Sequence, residues 1–62
     1  MIDESAIRLR FAVLGPVLDE RGKRRFAAAE AMAAGHGGVS AVTRAIGIAR
    51  STTGRALTEL RE

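Results

Sequence analysis

Apolar residues recur along this chain at helical rather than strand spacing. In the first segment, Ile7, Phe11, Leu14 and Leu18 stand at i, i+4, i+7 and i+11, which places them on one stripe of a helix. No stretch alternates β-branched and polar residues over a useful length, so no strand is expected. The pattern predicts an all-α chain with four helical segments.

Proline and capping residues set the bounds of the first segment. It covers residues 3–14, with Asp3 or Ser5 as the expected N-cap. A kink or a break is expected at Gly15-Pro16, because in a continuing helix a proline clashes with the carbonyl group four residues back. A short extra turn is expected at residues 17–18.

The second segment is rich in alanine and has a high helix propensity. It begins at residue 19 or 20, where Asp19 can act as the cap, and it ends at residue 34 before Gly35, which suits a left-handed C-terminal residue. Residues 35–38 are expected to form a loop. Small alanines permit a neighbouring helix to approach closely. The expected inward face is Phe26, Ala29 and Ala33.

Residues 39–60 have the pattern of a helix-turn-helix, in which two short helices are joined by a turn of three or four residues. The helices are expected from residue 39 or 40 to 46 and over residues 50–60. Gly47 can adopt the positive φ that ends the first helix, and Ile48 then fills the angle between the two. The expected inner faces are Val42 and Ile46 on the first helix and Ala56, Leu57 and Leu60 on the second.

The outward face of the second of these helices carries groups that bind DNA. In this motif the N-terminal part of the second helix meets base edges, where Arg can form two hydrogen bonds with guanine and Ser or Thr can reach bases or phosphates. Free N–H groups at the same helix end attract phosphate. Arg50 and Arg55 are the best candidates for base contact. The residues expected at the groove are Arg50, Ser51, Thr52, Gly54 and Arg55.

Three residues lower the expected stability of the second helix of the motif, which is called the recognition helix. Ala49 offers no side-chain acceptor at the N-cap position. Thr53 stands where such motifs usually place Val or Ile, so its hydroxyl needs a partner or lowers the stability. Gly54 costs about 1 kcal/mol relative to Ala in a helix. The helix is therefore expected to be soft when free.

Basic residues concentrate in the C-terminal two-thirds of the chain. The formal net charge is +3, although residues 1–20 hold two Arg against four acids and so carry a net −2. Arg21, Lys23, Arg24 and Arg25 begin the second helix. They either clamp phosphate beside the groove, with Arg24 and Arg25 as the candidates, or form a solvated helix start that opposes the helix dipole.

Three other polar residues bear on the site. Arg44 is expected on the outer face of the third helix, where it can contact phosphate. Glu30 either pairs with an arginine of the motif and orients it, or faces water. His36 lies in a glycine-rich loop, and the chain has no second His and no Cys. We therefore expect His36 near the DNA backbone or in solvent rather than on a metal.

No pattern in the sequence predicts catalysis, a cofactor or a metal site. The acids do not converge on a plausible pocket, and no nucleophile–base pair or glycine-rich phosphate loop is present. The chain begins acidic where a secretory signal is basic, and no apolar run approaches the length of a bilayer span. We expect one soluble, cytoplasmic domain of 62 residues that is not an enzyme.

Five short segments spread along the chain carry a family resemblance. They are Ile2-Asp3-Glu4, Leu18-Asp19-Glu20-Arg21-Gly22, Arg25-Phe26-Ala27-Ala28-Ala29-Glu30-Ala31, Gly37-Gly38-Val39-Ser40-Ala41-Val42 and Gly47-Ile48-Ala49-Arg50-Ser51-Thr52. Together they resemble the start of the Rhodopirellula-type (ISAzo) DDE transposases. The resemblance implies an end-binding module that recognises the terminal inverted repeats of an insertion sequence. It does not imply DNA cleavage, because the family's catalytic domain with its acidic metal-binding triad is absent from this sequence.

These observations predict a small three- to four-helix bundle with a homeodomain-like helix-turn-helix that binds double-stranded DNA sequence-specifically. A small transcriptional regulator with the same motif is an alternative with the same chemistry. A helical protein-interaction or dimerisation module is an alternative of a different class, with the first helix, Leu57 and Leu60 as its partner surface. A homodimer is compatible with each of these functions. In a bacterial cell, the DNA-bound form is expected on the nucleoid.

Overall fold

Helices account for nearly all of the chain that the structure describes. The computed structural model describes residues 2–61, in which no strand occurs, so the predicted all-α helical bundle is confirmed. The elements are α1 (Glu4–Leu14), a 3₁₀ turn (Gly15–Val17), α2 (Glu20–Ala34), α3 (Gly38–Ile46) and α4 (Arg50–Arg61). Across residues 2–61, each helix is too short or too polar to traverse a bilayer. The predicted domain also includes Met1 and Glu62, which lie outside the described residues.

Aspartates cap the first two helices where the sequence predicts them. The Asp3 carboxylate accepts a hydrogen bond from the Ala6 N–H at 3.1 Å, and the Asp19 carboxylate accepts one from the Gly22 N–H at 2.7 Å. Each bond satisfies a backbone donor that the first helical turn leaves without a partner. Of the two candidate caps of α1, Asp3 is the one used.

Proline and glycine end α1 and α2. The break at Pro16 is confirmed, although the extra turn covers Gly15–Val17 rather than residues 17–18. At the end of α2, the Gly35 N–H donates to the Ala31 carbonyl at 3.1 Å. Gly35 has the predicted positive φ of 76°, but its ψ of −137° lies outside the left-handed helical region. Glycine tolerates this backbone conformation, which would strain a residue with a side chain.

The buried core consists mostly of alanine. Ile7 and Val42 are its large aliphatic members, and half-buried side chains such as Ile46 and Ile48 pack around them. Because an alanine methyl group buries little apolar area, each of these residues contributes only modestly to stability. The buried cluster is Ile7, Ala27, Ala31, Ala41 and Val42.

α3 begins in close contact with α2. A methyl group on Gly38 would lie 2.3 Å from the carbonyl oxygen of Ala31, which is shorter than any tolerated contact. This position therefore requires glycine, and Gly38 is the first residue of α3 rather than the last residue of the predicted loop. The expected close approach of another helix to the alanine-rich helix is confirmed, and its position is set by this pair.

The predicted inward face of α2 is wrong in register. Ala29 and Ala33 are exposed, and Phe26 is half-buried with its ring centroid 5.6 Å from that of Phe11 on α1. Alanine at most positions of this helix removes the contrast between faces that would orient it. The buried residues of α2 are Ala27, Ala28 and Ala31.

Two leucines that were predicted to face inward are exposed. Leu14 is the last residue of α1, where the chain turns into the 3₁₀ segment, and Leu60 lies in the last turn of α4. The apolar spacing correctly predicted the other members of these faces. Those members, buried or half-buried, are Ile7, Phe11, Leu18, Val42, Ile46, Ala56 and Leu57.

Thr53 on α4 occupies a core position, as predicted. The residue is 0% exposed, and its hydroxyl has no hydrogen-bond partner among residues 2–61. A buried hydroxyl without a partner lowers the free energy of unfolding, because water satisfied it in the unfolded chain.

Replacing this hydroxyl with a methyl group is expected to stabilise the protein. Thr53→Val keeps the shape of the side chain, so the free energy of unfolding in urea is expected to rise by about 1 kcal/mol. Thr58→Val is the matched control on the same helix, since Thr58 is exposed and its hydroxyl donates to the Gly54 carbonyl at 3.1 Å. An equal gain in both variants would contradict the role assigned to burial.

Candidate nucleic-acid interface

A three-residue turn joins α3 to α4, so the predicted helix, turn and helix are confirmed. Gly47 adopts the left-handed conformation, with φ 77° and ψ 12°, and donates its N–H to the Thr43 carbonyl at 3.0 Å. Ile48 is half-buried and packs against the core cluster. The turn therefore anchors the start of α4 to the bundle.

The N-terminus of α4 lacks a side-chain cap. The Thr53 N–H donates to the Ala49 carbonyl at 3.1 Å, which makes Ala49 the N-cap residue. Its methyl group cannot accept a hydrogen bond, so the N–H groups of Arg50, Ser51 and Thr52 have no acceptor within the helix. Arg50 and Ser51 are exposed, and these donors add to the positive end of the helix dipole.

A surface groove of about 370 Å³ lies between α2 and α4. It brings together three of the predicted DNA-binding residues, Arg24 from α2 with Thr52 and Arg55 from α4. The sequence did not predict that Arg24 would lie near Arg55, because the two are far apart along the chain. Glu59 also lines the groove and was missed, although its i+4 spacing from Arg55 is a signal that places both on one helical face.

The other predicted site residues are distributed around this groove. Arg25 is exposed on α2 but is not among the residues that line the groove. Gly54 is half-buried, yet a Cβ atom built on it would meet no atom within 4 Å. Packing within the protein therefore does not require glycine at this position.

Two ion pairs connect α1 to the rest of the bundle. Arg10 donates two hydrogen bonds to Glu30 on α2, at 2.5 and 2.7 Å. Arg44 on α3 donates two to Glu4, at 3.0 and 2.8 Å. The bonds from Arg44 hold the pKa of the Glu4 carboxyl below its ordinary value, with a smaller contribution from the charge of Arg8.

These pairs revise two of the predictions. Glu30 pairs with Arg10 of α1, so it neither orients an arginine of the helix-turn-helix nor faces water alone. Arg44 is exposed on α3 as predicted, but its guanidinium is already bonded to Glu4. Contact between Arg44 and a phosphate therefore requires exchange of one anionic partner for another. His36 is exposed in the turn before α3, as expected.

The charges that remain after this pairing are unevenly placed. Four acids serve the fold, since Asp3 and Asp19 cap helices and Glu4 and Glu30 bind arginines. By contrast, a set of bases on α2 and α4 has no carboxylate of residues 2–61 within 4.0 Å. Positive charge is thus concentrated where these two helices face solvent. The unpaired bases include Arg21, Lys23, Arg24, Arg25, Arg50 and Arg55.

Side chains suited to holding a metal ion do not cluster in the described part of the chain. In comparisons with known proteins, no family model, no curated protein and no solved structure matches this chain at a significant level. The candidate interface is therefore defined by its side-chain geometry and its charges.

Proposed function

We propose that this chain binds double-stranded DNA sequence-specifically, with the N-terminal part of α4 in the major groove. The observation that carries the proposal is the α2–α4 groove, where Arg24, Thr52 and Arg55 meet without an acidic partner for either arginine. Unpaired guanidinium groups beside an uncapped helix N-terminus attract a polyanion. This juxtaposition supports DNA better than it supports an acidic protein surface, because the groove holds planar donors of the kind that read guanine.

Each part of the interface has a distinct task in this proposal. Arg50 and Arg55 reach base edges, Ser51 and Thr52 contact bases or the adjacent phosphates, and the free N–H groups of the first turn of α4 bind a phosphate. Arg24 reaches across the groove from α2 to the flanking backbone. Glu59 at the other end of the groove repels phosphate, which restricts DNA to the N-terminal part of α4.

Arg44 is assigned a conditional phosphate contact. In a helix-turn-helix the first helix crosses the DNA backbone, and α3 carries Arg44 on its exposed face. On contact with DNA, the guanidinium exchanges the Glu4 carboxylate for a phosphate oxygen. Because one anion replaces another, the net contribution of Arg44 to affinity is smaller than that of Arg24.

The resemblance to Rhodopirellula-type transposases supports a narrower proposal. In it, the chain is the end-binding module of an insertion-sequence transposase, recognises terminal inverted repeats, and acts in the bacterial cytoplasm on nucleoid DNA. A small transcriptional regulator would use the same binding chemistry and differ only in its target. The module itself is proposed to bind DNA without cutting it.

A protein-interaction module is the second candidate function. The observation that favours it is the exposure of aliphatic side chains on α1 and the 3₁₀ turn, namely Leu9, Val13 and Val17. A partner bound through these residues would be held by apolar contact. The basic groove would then have no role in binding.

Selection of bound sequences from a pool of random duplexes tests the proposal. We expect enrichment of one motif, and a transposase target would recur as inverted copies at the two ends of an element. Affinity for the selected duplex is expected to fall steeply with salt, by a slope of about −0.9 in log–log form for each phosphate contacted. If no motif is enriched and the binding of the chain to duplex DNA does not depend on salt, the proposal is refuted and the interaction module is favoured.

Arg55→Ala is expected to weaken binding to the selected duplex by about 1–3 kcal/mol and to relax specificity at one base pair. The reason is the loss of a bidentate contact to a base edge. Fluorescence anisotropy with the selected duplex and with single-base variants measures both effects.

Arg24→Ala is the matched control for Arg55, since both arginines line the same groove. As a phosphate contact, Arg24 is expected to contribute equally on every sequence and to account for about one unit of the salt slope. If Arg55→Ala also weakened binding uniformly on all duplexes, Arg55 would be reassigned to the backbone.

Gly54→Ala is expected to raise the stability of the protein and to lower its affinity for DNA. The new methyl group meets no protein atom within 4 Å, so the gain in helix propensity should raise the free energy of unfolding by about 1 kcal/mol. On DNA, the same methyl group occupies space at the groove, so affinity for the selected duplex is expected to fall. Urea unfolding and anisotropy on one preparation measure the two quantities. A variant that is more stable and binds equally well would remove Gly54 from the interface.

A further inference from the structure

The α2–α4 groove contains one acid, Glu59, that has no ion-pair partner among residues 2–61. Glu59 is exposed and lines the groove with Arg24 and Arg55, yet neither guanidinium lies within 4.0 Å of its carboxylate. The other acids of residues 2–61 all suit the fold, as helix caps, as partners of arginines or as a negative charge in a first helical turn. These acids are Asp3, Glu4, Asp19, Glu20 and Glu30.

The position of Glu59 on α4 is unfavourable for the helix. α4 ends at Arg61, so the Glu59 carboxylate lies in the last turn, near the negative end of the helix dipole, where a base is preferred. Glu59 also follows Arg55 by four residues, and a base before an acid is the weaker order for an ion pair on a helix. Neither effect lets Glu59 stabilise α4, and its location beside two arginines points to a role in binding.

Without an acid, the groove would be a strong site for a phosphate group. Arg24 on α2 and Arg55 on α4 both line it and both lack a carboxylate partner. Its volume of about 370 Å³ leaves room for a phosphate, since a water molecule occupies only about 30 Å³ in the liquid. A phosphate bonded to both guanidinium groups would hold Arg55 away from the base edges. Because the backbone offers phosphates on every sequence, this mode of binding would be non-specific.

We propose that Glu59 is a specificity-determining residue, which keeps phosphate out of the α2–α4 groove and so leaves Arg55 free to contact a base. The effect on specificity rests on the proposed function, whereas the exclusion of phosphate does not. Arg24 still reaches a phosphate of the flanking backbone, outside the groove. The repulsion weakens complexes with wrong sequences most, because there Arg55 lacks its base and a phosphate in the groove would be its best partner.

Glu59→Gln tests the effect on specificity, since it removes the charge and keeps the size of the side chain. With one repulsion lost, binding to a random duplex is expected to tighten about fivefold, and binding to the selected duplex to change less than about twofold. On the random duplex, the slope of log affinity against log salt is expected to steepen by about 0.9, the value for one more phosphate contact. Fluorescence anisotropy with both duplexes over a range of salt concentrations measures these quantities.

Two further variants separate the role of this carboxylate from net charge and from side-chain shape. Glu20→Gln causes the same change in net charge at an exposed acid that neither lines the groove nor binds an arginine, so both duplexes are expected to respond equally. Glu59→Asp keeps the charge and is expected to keep the specificity of the wild type. All these positions are exposed, and circular dichroism melts should show that each variant is folded.

Titration of the free protein with inorganic phosphate tests the exclusion without DNA. The side-chain N–H signals of Arg24 and Arg55 in NMR spectra report a phosphate bound between the two guanidinium groups. Glu59→Gln is expected to bind phosphate there about threefold or more tightly than the wild type, because the phosphate no longer meets a like charge. Glu20→Gln is expected to match the wild type.

The two experiments distinguish failure of this inference from failure of the proposed function. Equal phosphate binding by the wild type and Glu59→Gln would overturn the exclusion, whatever the result with DNA. Equal effects of Glu59→Gln on the random and the selected duplex would overturn the role in specificity. If Glu59→Gln gains phosphate affinity but the wild type selects no duplex, the exclusion stands and the function proposed for α4 is refuted.

Discussion

The structure depends on the contact between the end of α2 and the first residue of α3. The carbonyl of Ala31 occupies the space that a methyl group on Gly38 would take, and it also accepts the N–H of Gly35 that ends α2. Only three residues separate these helices, and the contact sets how closely the start of α3 approaches α2. The short turn at Gly47 joins α3 to α4, so the position of α3 also limits where α4 can begin. Together with the direct packing of α4 against α2, this placement positions the groove that holds the candidate interface.

Close packing through small residues also limits the stability of the bundle. Ile7 and Val42 are the large aliphatic side chains buried in the core, and the rest of the cluster is alanine. A domain of 62 residues buries a modest share of its surface and is marginally stable. The unpartnered hydroxyl of Thr53 lowers that stability further, in the helix that carries most of the interface. Any ligand that binds only the folded chain consequently has a large relative effect on its unfolding equilibrium.

The parts of this fold that depend on neighbouring residues could be predicted from the sequence, whereas the contacts between distant residues could not. A cap, a proline break or a positive φ is decided by a few neighbouring residues, so Asp3, Asp19, Pro16 and Gly47 act as predicted. The register of α2 was wrong because alanine on every side leaves no apolar stripe to read. The partners of Glu30 and Arg44, and the approach of Arg24 to Arg55, join residues 20 to 40 positions apart, where one sequence holds no pairing signal. The residue types of the site could therefore be predicted from the sequence, but which of these residues lie together in space could not.

The two ion pairs on α1 explain how one small chain keeps two surfaces electrostatically distinct. Arg10 and Arg44 bind α1 to α2 and α3, and the same bonds neutralise the acids Glu30 and Glu4. On α2 and α4 themselves the bases outnumber the acids among the described residues, so a net charge of only +3 yields a concentrated basic surface. On α1, by contrast, Arg10 is paired with Glu30, and exposed aliphatic side chains such as Leu9 and Val13 lie beside it. Because the acids Glu4 and Glu30 are engaged by arginines of other helices, the bases of α2 and α4 stay unpaired, and this is the surface on which the proposed binding of a polyanion depends.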